Sequence, residues 1–255
     1  VNDPVSFGSF RAYGTANLVN LINEMGAYPT RNFQEEVFEG AAATSGEAIA
    51  EEILVKNRAC FACPIACTRV SEVKDGPYKG RGEGPEYETT WSFGALCGVS
   101  NLEAIAKANF LCRDYGIDSI SAGATVACAM ELYEKGYAPE SDIGFPLSFG
   151  DHEAMIRATI MMGEGDGKFG ALMASGSYRL AEHYGHTELF MGSKKLEMSA
   201  YSPRVFQGMA LHYATSNRGA CHVRGNTVAA ELYGIPKYVP PDTLEGKEEL
   251  VRRPF

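Results

Sequence analysis

The sequence has few of the features that mark membrane or nucleic-acid-binding proteins. None of its apolar runs approaches the roughly 18 residues that a membrane-spanning helix needs, so we expect no membrane association and a cytoplasmic location. Positive charge is in the minority, because 23 Lys and Arg stand against 32 Asp and Glu, for a formal net charge of -9. Without an excess of basic residues to neutralise phosphates, we expect no nucleic-acid partner.

The cysteines do not fit a secreted disulfide framework. Such frameworks are shorter, richer in cysteine and usually even in number, whereas this chain has seven cysteines in 255 residues. Three of them cluster, and the other four, Cys97, Cys112, Cys128 and Cys221, are scattered. A reducing compartment with thiolate metal ligation fits this pattern better.

The length and the 45% hydrophobic content suffice for one large domain or two moderate ones. We find no internal repeat and no low-complexity segment. The chain starts at Val1 and stops at VRRPF without an obvious closing element. We interpret it as part of a longer polypeptide, with a processed but complete protein as the alternative.

Helical patterns dominate the chain. A capping box at Thr44 and Glu47 predicts a helix over 44–56, and a similar start at Ser100 predicts one that Gly116 ends. Three further helices are predicted, over 119–136, from Asp151 to about Gly163, and over 169–185. Strand patterns are confined to TRVSEV and TELFMG, and a boundary is expected near the loop GSKKLEMSAYSPR. The predicted fold class is therefore mainly α.

The stretch CFACPIACTR holds Cys60, Cys63 and Cys67 at the spacing C-x2-C-x3-C. Pro64 disfavours helical geometry at Cys63 and suits the first turn of a helix, so we expect Cys67 to lie one turn into a helix. Structural zinc favours two separated ligand pairs, and no second pair exists here. A [4Fe–4S] cluster accepts three close cysteines and one distant ligand. The spacing favours the cluster, with zinc or a metal-free group of thiols as alternatives.

Two other stretches have side chains suited to catalysis. GEGPEYETTWSFG holds Glu83, Glu86 and Glu88, one of which could lie in a partly apolar pocket with a raised pKa; a solvated acidic loop is the alternative. YATSNRGACHVRGN combines Arg218 with His222, which suits anion binding and proton transfer. A plain turn with a structural histidine explains that stretch equally well.

Together these stretches resemble the aldehyde ferredoxin oxidoreductase family of tungsten enzymes. The resemblance lies in five blocks in order and covers most of residues 52–226. The blocks are CFACPIACTR, GPEYETTWSFGALCG, YGIDSISAGATVACAMELYEKG, LMASGSYRLAEHYG and YSPRVFQGMALHYATSNRGACHVRG. The resemblance implies a tungsten or molybdenum ion held by two pterins beside a [4Fe–4S] cluster. It also implies oxidation of aldehydes to carboxylic acids, with ferredoxin as electron acceptor.

The resemblance assigns residues as well. Three cluster ligands would be Cys60, Cys63 and Cys67, a glutamate near the metal would be Glu88, and a histidine for proton transfer or substrate binding would be His222. The family's pterin-contacting D-x-x-G-L-D motif is matched in part, because Gly116, Ile117 and Asp118 fit whereas Arg113 stands where the leading Asp often lies. Arg218 is a further cofactor-binding candidate.

The resemblance further implies that the chain is a fragment. Residues 1–190 would be the second, helical domain of the family with the cysteine triplet, and 191–255 the start of the third. The N-terminal β-rich domain would precede the chain, and the fourth cluster ligand would lie beyond it, with Cys221 as the best internal candidate. We expect such a fragment, made alone, to be inactive and to bind neither pterin nor a stable cluster. The full-length protein could be a homo-oligomer.

Two rival functions stay open at the level of sequence. One is the tungsten subunit of a related oxidoreductase, such as an aromatic-ring reductase that acts on a CoA thioester. The other is a non-catalytic iron–sulfur electron-transfer module. The same cysteines serve all three functions, so metal content and substrate are what distinguish them.

Overall fold

The computed structural model describes residues 6–235 and 237–252. The helices in chain order are α1 (Ser6–Tyr13), α2 (Leu18–Glu24), α3 (Gly46–Glu52), α4 (Tyr87–Phe93), α5 (Leu102–Tyr115), α6 (Ser119–Glu134), α7 (Glu140–Ile143), α8 (His152–Glu164), α9 (Gly167–Met173), α10 (Ser177–His183), α11 (Gln207–Thr215), α12 (Val228–Tyr233) and α13 (Lys247–Arg252). The strands are β1 (Leu54–Arg58), β2 (Thr68–Val73), β3 (Gly80–Glu83), β4 (Gly192–Ser193) and β5 (Leu196–Glu197). The predicted mainly α architecture is confirmed.

The long helices begin at side-chain caps, which satisfy backbone N–H groups that have no partner in the first turn. Asn101, rather than the predicted Ser100, accepts from the Ala104 N–H at the start of α5. Asp118 accepts from the Ser121 N–H at the start of α6, and Asp151 begins α8 as predicted. Left-handed glycines at the ends of α5 and α8 stop these helices.

Three local predictions are wrong. The helix predicted over 44–56 ends at Glu52, and LVKNR forms β1, which pairs with β2, instead. The helix predicted over 169–185 is divided by Gly176, whose φ of 94° no helix accommodates, into α9 and α10. TELFMG contains a 3-10 turn over Thr187–Leu189 rather than a strand.

The first three strands form an antiparallel sheet in the order β1-β2-β3. TRVSEV was correctly predicted as a strand, and its residues alternate between buried and partly exposed. Helix α5 covers the β3 end of this sheet through Phe110. A Cβ added at Gly80 or Gly82 would lie 2.9 Å or 2.7 Å from the Phe110 ring, so the two glycines let the helix approach closely.

The core is one connected cluster of buried residues from Ala16 to Val228. Helix α4 lies in it against α6, where a Cβ on Gly123 would meet Ser92 at 2.6 Å. This close packing brings the first turn of α4 near the start of α6, at Asp118.

The domain boundary between 190 and 191 stays a prediction. Within the described residues, no helix has the length and hydropathy to cross a membrane.

Candidate functional site

The cysteine segment, residues 60–67, forms turns that connect β1 and β2. Cys60 is exposed, while Cys63 and Cys67 are partly buried. The prediction that Cys67 lies within a helix is wrong, because Cys67 directly precedes β2, whose residues pair with both β1 and β3. Ala62 and Ala66 adopt left-handed φ angles of 56° and 57°. Such angles are uncommon for non-glycine residues and mark constrained turns.

The three thiols are neighbours. Burial raises the pKa of Cys67, and the nearby charges of Glu86, Cys63 and Cys60 raise it further. Among the described residues no three His, Cys, Asp or Glu side chains are grouped so that they could hold a metal ion. A [4Fe–4S] cluster takes each thiolate on a different iron atom, so its cysteines need not converge on one point as zinc ligands must. The cluster therefore stays a prediction from the spacing of the three cysteines.

Glu88 lies in the first turn of α4 with its carboxyl group in the protein interior. Its Oε2 accepts a 2.9 Å hydrogen bond from the Ala200 N–H, whereas its Oε1 is buried without a partner. Burial raises the pKa of Glu88 to about 8, the charge of Asp118 adds to the rise, and the Ala200 bond opposes it. At neutral pH this carboxyl group therefore holds a proton.

His222 faces the free oxygen of Glu88, with its Nε2 3.9 Å from Oε1. Burial lowers the pKa of His222 and the nearby charge of Arg218 lowers it further, while Asp118 opposes them. Both groups are therefore neutral at pH 7, and 3.9 Å is too long for a hydrogen bond. The pair is a carboxylic acid beside an imidazole, and a small ligand atom could bridge it.

Two cavities meet at His222. A mainly apolar cavity of about 460 Å³ is lined by Glu88 and His222 together with Phe10, Leu18, Tyr87, Tyr201, Val228, Tyr233 and others. A second cavity, of about 250 Å³, is lined by His222, Asp118, Arg218 and Cys221. His222 thus lies between an apolar chamber and a chamber with charged side chains.

The cofactor-binding candidates occupy the region around the smaller cavity. Gly116 ends α5 in the left-handed conformation and Ile117 follows it, leading the chain into Asp118. Arg218 donates to the Cys221 Sγ at 3.4 Å. The structure therefore brings Asp118, Arg218 and His222 together from segments about one hundred residues apart, although their proposed roles stay predictions.

The four scattered cysteines are all buried. Cys97, Cys112 and Cys128 are core thiols whose pKa values burial raises, as the sequence indicated. Cys221 lies at the cavity beside His222, and it is the partner of Arg218.

Several residues of the site were missed by sequence reasoning. Tyrosines lie near Glu88: burial raises the pKa of Tyr28, Tyr87 and Tyr201, and the charge of Glu88 adds to the rise. Trp91 donates from its indole to the Pro29 carbonyl in the core. The Tyr87 hydroxyl donates to the Ala200 carbonyl at 2.8 Å and so holds the segment that caps Glu88. The sequence SAYS at residues 199–202 does not predict this contact, because the contact forms only in the folded chain.

Comparison with known proteins identifies the relatives of the chain. A family model described as "Aldehyde ferredoxin oxidoreductase, domains 2 & 3" matches residues 1–253. The chain is 48% identical over 254 residues to a tungsten-containing aldehyde ferredoxin oxidoreductase of Pyrococcus abyssi, covering 98% of this chain and 41% of the relative. The corresponding protein of Pyrococcus furiosus is 46% identical over 253 residues, with the same coverage. The chain thus spans about two fifths of the length of these curated relatives.

More distant proteins share part of the sequence or the fold. The WOR-like subunit of an aliphatic sulfonate oxidoreductase from Pyrococcus furiosus is 31% identical over 178 residues, covering 69% of this chain and 28% of that subunit. A solved structure of the active site complex BamBC of benzoyl coenzyme A reductase, with 1,5-dienoyl-CoA, superposes with a TM-score of 0.62. It is 18% identical and covers 95% of this chain and 38% of its own, so the likeness shows a shared fold.

Proposed function

The chain belongs to the aldehyde ferredoxin oxidoreductase family, and from this membership we propose that the protein oxidises aldehydes to carboxylic acids with ferredoxin as electron acceptor. Relatives that are 46–48% identical and are named for this activity support the proposal. This chain would supply the cluster ligands Cys60, Cys63 and Cys67 and the acid–base pair Glu88 and His222. The observation that carries the proposal is the buried, unpartnered Oε1 of Glu88 facing His222.

The residues present fit the cofactors that the family name implies. The cysteine segment has three of the four thiolate donors of a [4Fe–4S] cluster, and a cavity adjoins His222 where Asp118 and Arg218 could contact a pterin. Gly116 and Ile117, which precede Asp118, complete the proposed pterin-binding residues. When bound, a tungsten bis-pterin would accept the two electrons of the oxidation, and the cluster would pass them singly to ferredoxin.

The oxidation releases protons, which the chain itself must accept. An aldehyde and a water molecule yield a carboxylic acid, two electrons and two protons. Ionised Glu88 can take a proton at Oε1, the oxygen that has no other partner. Because the pKa of Glu88 is about 8, roughly one tenth of the groups are ionised at pH 7. Neutral His222 can orient the substrate oxygen through its ring nitrogen.

The larger cavity explains how an organic substrate reaches this pair. Its walls are mostly apolar and aromatic, which suits the hydrocarbon part of an aldehyde. The polar residues of its lining are Thr15, Glu86, Glu88, His222 and Asn226, and the carbonyl end would bind against Glu88 and His222. The same apolar walls limit access of water to the carboxyl group, and that burial is the main reason for its raised pKa.

The rival functions lack a comparable observation. Similarity to the benzoyl coenzyme A reductase complex is 18% in sequence and concerns the fold alone. A non-catalytic electron-transfer module has no use for a desolvated glutamate beside a neutral histidine at an apolar cavity. We therefore favour the aldehyde-oxidising function.

The test is metal analysis of the full-length protein, followed by an aldehyde panel assayed with ferredoxin. We expect about one tungsten per chain together with iron and sulfide, and aldehyde-dependent reduction of ferredoxin. Iron without tungsten would support the electron-transfer module, and reduction of a CoA thioester without aldehyde oxidation would support the ring reductase. We also expect the isolated chain to be inactive and to retain neither cofactor; an EPR signal of an intact cluster in it would contradict this expectation.

A further inference from the structure

Arg69 is among the largest fully buried side chains, with 1% of its surface exposed. It lies in β2, two residues after Cys67. A buried guanidinium must place each of its five N–H groups on an acceptor, because an unpaired one would cost the full desolvation of a charged donor. The hydrogen bonds of Arg69 therefore show what it holds in place.

Its bonds divide into two sets. On the side of the cysteine segment, Nε donates to the Cys67 carbonyl and Nη2 to the Ala66 carbonyl, each at 3.0 Å. On the other side, Nη1 donates to the Ala12 carbonyl at 2.9 Å and to the Asn57 Oδ1 at 2.7 Å. Nη2 also donates to the carbonyls of Phe10 and Arg11, at 3.3 Å and 3.0 Å.

These acceptors join the end of α1 to the cysteine segment. The carbonyls of residues 10–12 lie at the C-terminal end of α1, where that of Phe10 also accepts from the Gly14 N–H and that of Arg11 from the Asn57 side-chain amide. Gly14, with a φ of 68°, lies directly against this junction: a Cβ there would be 2.9 Å from the Cys67 carbonyl oxygen and 3.0 Å from the Arg69 Nε. Little room is left for the Cys67 backbone to move.

The charge of Arg69 has no carboxylate in contact with it. Among the ion pairs of the described residues none includes Arg69, and its six acceptors are all neutral oxygens. Glu86 acts on it through space only. Arginine stays protonated in proteins, so a positive charge lies buried next to the cysteine segment, where solvent screens it little, and Glu86 acts through space on both Arg69 and Cys67.

We propose that Arg69 is a positioning residue that fixes the backbone of Cys67, and that its buried charge raises the reduction potential of the cluster bound there. The cluster itself rests on the proposed function above. A positive charge in a region of low dielectric favours the more negative, reduced form of a cluster. The hydrogen bonds hold Ala66 in its left-handed conformation and keep Cys67 in register with β2. The hydrogen bonds of Arg69 therefore determine the backbone geometry at Cys67, whereas its charge affects the reduction potential of the cluster.

Three variants of the full-length protein separate these effects. Arg69→Met removes both the charge and the hydrogen bonds, and Arg69→Lys keeps the charge but cannot reach both sets of carbonyls. Arg58→Met is the matched control, because Arg58 lies on β1 close to Cys60 but is 64% exposed. The readouts are iron and sulfide per chain, the midpoint potential from an EPR-monitored titration, and hydrogen exchange of the amides of residues 60–67 in the cluster-free protein.

For Arg69→Met we expect cluster affinity to fall roughly 10- to 100-fold, the scale of lost supporting interactions at metal sites, and the potential of the remaining cluster to become more negative. Arg69→Lys should keep a potential near that of the wild type and still lose cluster affinity. The control should match the wild type in all three readouts. Wild-type cluster content and potential in Arg69→Met would overturn the proposal, as would a fall in potential of the same size in the control.

The exchange measurement keeps the inference testable if the proposed function fails. We expect amides 60–67 of the cluster-free protein to exchange faster in both Arg69 variants than in the control. If the wild-type protein proves to bind no cluster, the proposed function fails while this result still decides whether Arg69 positions the segment. Unchanged exchange would refute the positioning role. If Arg69→Met does not fold, Arg69→Lys supplies the same comparison.

Discussion

The cysteine segment and the pocket of Glu88 and His222 differ in how the chain builds them. The segment takes its three thiols from eight consecutive residues, on turns that leave Cys60 exposed. The pocket takes its groups from three places in the chain, Glu88, Asp118 and the loop with Arg218 and His222, and it exists only when α4, α6 and the loop after α11 are packed. The cysteine segment is formed by neighbouring residues at the surface, whereas the pocket is buried and formed by residues that are distant in the sequence.

This difference determines the chemistry that each region can support. Thiols on an exposed turn can receive an inorganic cluster and lie close to an external electron acceptor. The pocket instead uses desolvation, which raises the pKa of Glu88 and lowers that of His222 until both are neutral. Under the proposed function, the surface segment would transfer electrons and the interior pocket would transfer protons.

The largest expected effect comes from removing one cysteine thiol, which tests whether the cysteine segment and the pocket of Glu88 and His222 have separate functions. In Cys63→Ser we expect iron to fall to background and aldehyde-dependent ferredoxin reduction to stop, while tungsten per chain is unchanged. Because Cys63 lies in an open turn, the stability of the cluster-free chain should change by less than about 0.5 kcal/mol. Iron and tungsten analysis and urea unfolding measure these effects.

The buried Cys128 provides the opposite control. Cys128→Ala should keep its iron and lose about 1 kcal/mol of stability, because it removes a fully buried side chain from α6. Full iron occupancy in Cys63→Ser would show that the segment is not the cluster site.

The second test removes the titratable group of the pocket. Glu88→Gln keeps the shape of the side chain and an acceptor for the Ala200 N–H, but it cannot take up a proton. We expect kcat to fall about 10²- to 10⁴-fold, the usual contribution of general acid–base catalysis, with iron and tungsten unchanged. Steady-state kinetics with metal analysis measure both.

Glu83→Gln is the control for this substitution, since Glu83 lies in the same acidic stretch but pairs with Arg58 at the surface. Its turnover should equal that of the wild type. A Glu88→Gln enzyme with normal turnover would remove Glu88 from the mechanism.

The two regions also differ in how far sequence predicts them. Spacing alone predicted the cysteine cluster, because its ligands are neighbours in the chain, and alternation predicted β2. The course of the segment was predicted wrongly: Pro64 favoured a helix, but pairing of β2 with two strands places Cys67 at a strand start. For the pocket, periodicity indicated helices, yet only family resemblance selected Glu88 and His222. Local sequence patterns do not predict the hydrogen bond from the Ala200 N–H to Glu88, because the two residues are 112 positions apart. They do not predict that Arg69 joins Cys67 to α1 either.

The last comparison concerns stability rather than turnover. Folding holds Glu88 in its neutral form, since burial raises its pKa from 4.5 to about 8. Between these two pH values the unfolded chain releases the proton that the folded chain retains, so the folded state loses stability as pH rises, by at most about 1.4 kcal/mol per pH unit. Below pH 4.5 the group is neutral in both states, and above pH 8 it is ionised in both, so the loss stops growing.

The Glu88→Gln variant has no titratable group at this position. The difference between its urea midpoint and that of the wild type should therefore increase from pH 4.5 to pH 8 and stay constant at higher pH. The measurement is urea unfolding of both chains from roughly pH 4 to pH 9, with Glu83→Gln as a variant that shows no such widening. A constant difference over the whole range would mean that Glu88 ionises normally in the folded chain. The pocket would then be as open to water as the cysteine segment, and the contrast between the two regions would not hold.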